Sequence, residues 1–157
     1  MDQTDVLTEL FTRELDKLIK EVRSYPDDSL LWVVQGEIKN SAGNLCLHLV
    51  GNLNHFIGSV LGQTGFVRDR PAEFSTRFLP SSELISSIES TKLMVNQTIG
   101  SLTDSQLKMQ YPQGYFNADP MTIEWFLMHL YGHLCYHLGQ INYHKRLTGP
   151  NLQSTTL

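Results

Sequence analysis

The chain has 157 residues, 41% of them apolar and 18% charged, which suits one globular domain with a real core and is too short for two comfortable ones. A net charge of −4, with Lys and Arg scattered apart from the pair Lys145-Arg146, excludes the basic patch or stripe that nucleic-acid binding needs. No run approaches the roughly 18 uninterrupted apolar residues of a membrane span, and the acidic start Met1-Asp2-Gln3-Thr4-Asp5 lacks the regions of a signal peptide, so a cytoplasmic protein is expected.

Residues 5–24 carry apolar side chains at three- and four-residue steps (Val6, Leu7, Leu10, Phe11, Leu15, Leu18, Ile19, Val22), the pattern of a helix. Glu14 with Lys17 and Asp16 with Lys20 would pair on its wet side. Tyr25-Pro26 ends it, because the residue before proline avoids the α region. Residues 26–40 form a long connector, which in a compact domain usually covers something or borders a site. A second helix, near 41–63, starts at Asn40 or Ser41 as cap and stops near Gly62–Gly65. Residues 66–80 read as polar and irregular. A third helix, near 81–101, carries the stripe Leu84, Ile85, Ile88, Leu93, Val95 and Ile99. A second long connector over 103–118 includes Gly114-Tyr115-Phe116, whose aromatics are expected to pack over a helix end. The last helix, near 120–147, starts at Asp119-Pro120 or Thr122 and stops at Thr148-Gly149-Pro150. The expectation is an all-α four-helix bundle over residues 1–150, with a loose tail at 151–157.

Histidines dominate the last helix. His129, His133 and His137 recur at four-residue steps, so they stack along one face. Two imidazoles at that spacing can grip one transition-metal ion. All three cannot: His129 and His137 lie roughly 12 Å apart along the axis at 1.5 Å rise per residue, whereas ligand nitrogens on one ion lie within about 4 Å of each other. His129 with His133, or His133 with His137, both remain open. The third ligand must come from another helix, and His48, among Leu45, Leu49 and Phe56, is the best placed. His55 and His144 each sit seven residues beyond a neighbour, as outer groups or at a bundle end. A lone histidine on an apolar face is ordinarily a satisfied core residue, but several without partners would be costly to bury. The two cysteines, Cys46 and Cys135, precede His48 and His137 by two residues, which turns each thiol about 200° away on a helix. Both read as small buried hydrophobes.

Two segments carry a resemblance. Asn40-Ser41-Ala42-Gly43-Asn44-Leu45-Cys46-Leu47-His48-Leu49 resembles the second-helix pattern of the DinB-like family of small four-helix bundles. His133-Leu134-Cys135-Tyr136-His137-Leu138-Gly139-Gln140-Ile141 resembles that family's H-x-x-x-H-x-G-Q-I signature. The likeness spans nearly all of residues 5–148. It implies His48, His133 and His137 as ligands of one divalent transition metal, zinc or nickel, and it implies a homodimer. Commoner members often carry Glu, His and Arg where Leu134, Tyr136 and Leu138 stand here, which points to a more apolar pocket and a hydrophobic substrate.

Members characterised as enzymes are mostly transferases that use a low-molecular-weight thiol, and others are hydrolases or isomerases. The first expectation is therefore a metal-dependent transfer of a small thiol to an electrophilic small-molecule substrate. Tyr136, His129 and Asn52 are candidate catalytic helpers: Asn52 follows His48 by one turn, and His129 precedes His133 by one turn. The alternatives are a metal-dependent hydrolase and a non-catalytic, metal-stabilised dimeric binding module. An enzyme should open the metal onto a cleft lined by the connectors at 26–40 and 103–118. A DNA-damage effector role rests on the family's naming alone, and the acidic charge argues against direct DNA contact.

Overall fold

The apolar periodicity becomes four long helical segments in the computed structural model, which describes residues 2–112 and 120–149. In chain order, α1 spans Gln3–Arg23 and a 3-10 turn covers Asp28–Trp32. α2 spans Ala42–Leu53 and runs directly into a π-helical turn, Asn54–Ser59. α3 (Arg70–Ser75) is short, α4 covers Ser81–Gly100, α5 (Asp104–Leu107) is a single turn, and α6 covers Ile123–Thr148. Among the described residues there is no strand, only an isolated bridge between Gln110 and Thr122. No described helix is long and apolar enough to cross a membrane.

α1 packs against α4 and α6, and α2 packs against the same two. α1 and α2 therefore face each other across one diagonal of the bundle, and α4 and α6 across the other. This explains the connector lengths. Helices adjacent in sequence but diagonal in space need a crossover, and both long connectors serve as one. The first also closes the core. Leu31 and Trp32 are buried, Trp32 Nε1 donates to the Leu79 carbonyl at 3.2 Å, and the indole lies so close to Gly43 that a Cβ there would come within 2.7 Å of the ring.

The caps follow the sequence. Ser41 caps α2, its hydroxyl accepting from Asn44 N–H at 3.2 Å, and Thr122 caps α6 through Trp125 N–H at 3.2 Å. The second helix is shorter and less regular than expected. Asn54 Nδ2 donates to the Val50 carbonyl and to Thr91 Oγ1, both at 2.8 Å. Beyond it the backbone shifts to i→i+5 pairing, with Val60 N–H on the His55 carbonyl at 3.0 Å.

Several expectations are corrected. Residues 66–80 are not wholly irregular, since Asp69 caps α3 and Pro71 sits in its first turn. α3 is fastened to α2 by Asn44, whose Nδ2 donates to the carbonyls of Glu73 and Thr76, both at 2.9 Å. Glu14 does pair with Lys17, but it is only 5% exposed, and Asp16 pairs with Lys92 of α4 at 2.6 Å instead of with Lys20. Leu93 is 59% exposed, and Thr91 and Thr98 complete the buried stripe of α4. The aromatic segment 114–116, the alternative cap Asp119, the stop residue Pro150 and the tail 151–157 lie outside the described residues.

Candidate metal centre

The α2–α6 contact brings together three histidines 85 and four residues apart in sequence. His48 Nε2 lies 3.2 Å from His133 Nε2, and His137 Nε2 lies 3.0 Å from the same atom. The rings meet edge to face, with interplanar angles of 72° to 88°. One ligand atom from each lies within 4.8 Å of the others. Of the two pairs that spacing left open on α6, His133 with His137 is the pair that joins His48.

The outer ring nitrogens decide what the inner ones can be. His48 Nδ1 lies 2.9 Å from Glu73 Oε2, a buried carboxylate that can only accept, so Nδ1 carries the proton and donates. Arg68 holds that carboxylate with two bonds, Nε to Oε1 at 2.6 Å and Nη2 to Oε2 at 2.9 Å. Arg68 Nη2 also approaches His48 Nδ1 at 3.3 Å, a contact that adds nothing once Nδ1 bears hydrogen. His137 Nδ1 donates to Gln140 Oε1 at 2.7 Å. The Nε2 atoms of His48 and His137 are therefore lone-pair acceptors, and both aim at His133 Nε2. His133 can offer one proton to one of them at most. Its own Nδ1 is buried without a partner among the described residues. A shared cation resolves this surplus of lone pairs. Nitrogens about 2.0–2.1 Å from one ion in a tetrahedral shell stand roughly 3.3 Å apart, close to the separations seen.

Burial pushes all three imidazoles below the ordinary histidine range. For His133, burial and then the neighbouring His137 and His48 lower it to about 4. For His48, burial outweighs the opposing pull of Glu73, and for His137 it outweighs Gln140. All three are neutral near pH 7, the form that ligates metal.

Glu73 reaches His48 because Gly51 leaves room. A Cβ at Gly51 would collide with Glu73 Oε1, which Arg68 holds in place. Neither Glu73 nor Arg68 was expected from the sequence. The cue was present in Asp69-Arg70-Pro71, a helix start that sets Glu73 one turn inside α3. Gln140 belongs to the H-x-x-x-H-x-G-Q-I pattern and has a visible task, to orient His137.

A cleft of about 720 Å³ opens beside His48 and His133, walled by Asn52, His55, Arg68, Arg70, Phe126 and His129. Two expected helpers, Asn52 and His129, are on this wall. His129 stacks on Trp125 with ring centroids 5.7 Å apart and stays outside the three-histidine cluster. Tyr136 is 65% exposed, with its ring 5.3 Å from that of His137, and is not on the wall. The connector that lines the cleft is the one carrying α3. Residues 26–40 and 103–112 do not contribute, and 113–119 lie outside the described residues. Leu134 and Leu138 are buried in the core, so the apolar pocket expected from them is corrected to a wall that includes two arginines. Cys46 is fully buried, its thiol pushed up to about 12 by desolvation, and Cys135 is half-buried instead of buried. His144 is a core residue. Its Nδ1 accepts from the Tyr25 hydroxyl at 2.8 Å, and its Nε2 donates to the Val33 carbonyl at 2.9 Å.

No functionally curated protein matches the sequence. A solved structure described as a conserved protein of a locus from Enterococcus faecalis is similar in fold, with a TM-score of 0.74. It is 15% identical, and the match covers 94% of this chain and 98% of that one. At that identity the likeness speaks for the fold alone. The sequence itself matches, over residues 4–157, the family described as protein of unknown function (DUF1572), and the chain belongs to that family.

Proposed function

We propose that this chain is a divalent-metal-dependent enzyme acting on a small molecule, with His48, His133 and His137 as ligands of zinc or nickel. The observation that carries this reading is the set of three converging Nε2 atoms beside an open cleft, two of them committed as acceptors by Glu73 and Gln140. Three histidines next to a cleft are the pattern of a catalytic site, since structural zinc sites close all four positions with protein. A divalent ion bound there would supply Lewis acidity and make a thiol or water nucleophilic at neutral pH. Glu73 and Arg68 fix the tautomer and tilt of His48, and Gln140 does the same for His137. Asn52 and His129 stand where they can contact a substrate, and Phe126 with Leu130 keeps part of the wall dry. Tyr136, beside His137 at the surface, is the remaining candidate helper.

The reaction we propose is transfer of a low-molecular-weight thiol onto a small electrophile. Support for that choice, and for a homodimer, comes from the resemblance to the DinB-like family. Metal-dependent hydrolysis would use the same residues. Metal analysis of freshly purified protein, followed by a thiol-consumption screen with and without chelator, separates the readings. Stoichiometric metal and chelator-sensitive thiol loss are expected. Metal-loaded protein that consumes no thiol but cleaves ester or amide probes is a hydrolase. Inertness toward both kinds of probe leaves the non-catalytic dimeric module. Protein that takes up no metal sinks the proposal.

A further inference from the structure

The cleft beside the histidines has a charge unlike the rest of the chain. The protein carries a net charge of −4, yet none of the described residues lining the cleft is acidic, and two are arginines. Arg68, also on the wall, is committed to Glu73 through Nε and Nη2. Arg70 is exposed and has no carboxylate within ion-pair distance among the described residues. It is a positive group at the cleft with no counter-charge among the described residues.

A second observation lies deeper. Asn52, one turn beyond His48 on α2, lines the cleft with its side chain almost wholly enclosed, at 7% exposed. Among the described residues nothing hydrogen-bonds its carboxamide, and Oδ1 is buried without a donor. A buried amide normally finds partners, and leaving one unmatched is costly. With Oδ1 turned into the protein, the NH₂ group is the end left to the cleft, and it can only donate.

We propose that the cleft binds a small oxyanion, a carboxylate or phosphate group of the substrate, held by the Arg70 guanidinium and the Asn52 amide. The guanidinium fork matches the two oxygens of either group, and the amide supplies a further donor. A neutral ligand can accept from both groups but leaves the Arg70 charge uncompensated, and a cationic one is repelled by it. The volume is within the range of small-molecule sites, with room for an anionic group and a reacting group side by side. The inference deepens the proposed function: that reading assigns the reacting end to the three histidines, and this one assigns the far end of the same substrate.

The test is a titration of ¹⁵N-labelled protein, zinc-loaded and separately EDTA-treated, with glutarate, inorganic phosphate and the neutral analogue glutaramide. Saturable binding of glutarate or phosphate is expected, with shifts of the Asn52 side-chain amide, and glutaramide should bind about tenfold or more weakly, having acceptors but no charge. The tighter of the two anions identifies the source of the oxyanion. Arg70→Gln should weaken binding about tenfold or more, the loss of one charge-assisted bond, with zinc content unchanged. Asn52→Leu should act in the same direction. Arg70 is exposed, so its variant keeps the test valid if the Asn52 variant fails to fold. Glutarate binding that is unchanged in Arg70→Gln, or equalled by glutaramide, overturns the proposal. Binding that requires zinc and ignores Arg70 also overturns it, because the anion then sits on the metal. If zinc is not taken up while Arg70-dependent binding persists in EDTA-treated protein, the metal reading fails and the oxyanion site stands.

Discussion

His48 and His144 are almost equally buried, at 7% and 4% exposed, and both sit on long helices among leucines and isoleucines. They differ in what their nitrogens meet. Both nitrogens of His144 are matched within the protein, by the Tyr25 hydroxyl and the Val33 carbonyl. His48 is matched on Nδ1 only, and its Nε2 meets two more imidazoles. Burial and an apolar helix face are thus no guide to role. The test is whether the hydrogen bonds close within the protein or leave acceptors facing one another.

The largest effect that could break this contrast is loss of metal. His133→Ala should abolish stoichiometric zinc uptake, read by mass spectrometry after dialysis. His144→Ala should keep one zinc per chain and lose about 1–3 kcal/mol of stability in urea, for the stranded Val33 carbonyl, while the Tyr25 hydroxyl keeps the Ile141 carbonyl at 3.2 Å. Equal zinc loss in both variants would erase the distinction. Glu73→Gln sharpens it, since it leaves all three imidazoles in place and removes only the carboxylate that sets one tautomer. Zinc affinity should fall about 10–100-fold, measured by competition with a chromophoric chelator. Gly51→Ala should fall toward the lower end of that range, because its methyl group displaces Glu73 without changing its chemistry. An unchanged affinity there would mean that the close approach is incidental.

Acid should affect the two regions differently. The lowered imidazoles, with His133 at about 4, stay neutral when folded, while unfolded histidines take protons near 6.5. The unfolded chain binds more protons in that window. Stability is therefore present above about pH 6.5 and is lost as pH falls toward 4. Urea midpoints of EDTA-treated protein at pH 7 and pH 5 should show the drop. Zinc should steepen it through the triad and leave the His144 share unchanged. The smallest effect is expected from His129→Ala, with zinc affinity within roughly 0.5 kcal/mol of wild type. A larger loss would draw His129 into the ligand set.

Helix periodicity made the four long segments legible, and the four-residue spacing made an imidazole pair visible in the sequence itself. The choice between His129 and His137 was not legible from spacing, since both face His133 at the same step; the resemblance to the family signature pointed to His137, and the docking of α2 brings His137 to His48. Glu73 stayed hidden because a six-residue helix has too few turns to show a period. Its start signal, Asp69 with Pro71, carried the information. The diagonal order of the helices was equally out of reach. An apolar stripe says that a face is buried and does not say which helix covers it. His144 was ambiguous for the same reason, as its partner Tyr25 lies 119 residues away.

The link between His48 and His133 spans 85 residues of chain, and α3, α4 and α5 all lie inside that loop. An ion shared across it would hold those two ends together in the folded chain, and its binding free energy would add to folding stability, since the disordered chain presents no such site. In a protein without a disulfide among its described residues, the histidine cluster would be a reversible cross-link, opened by a chelator where a disulfide needs a reductant.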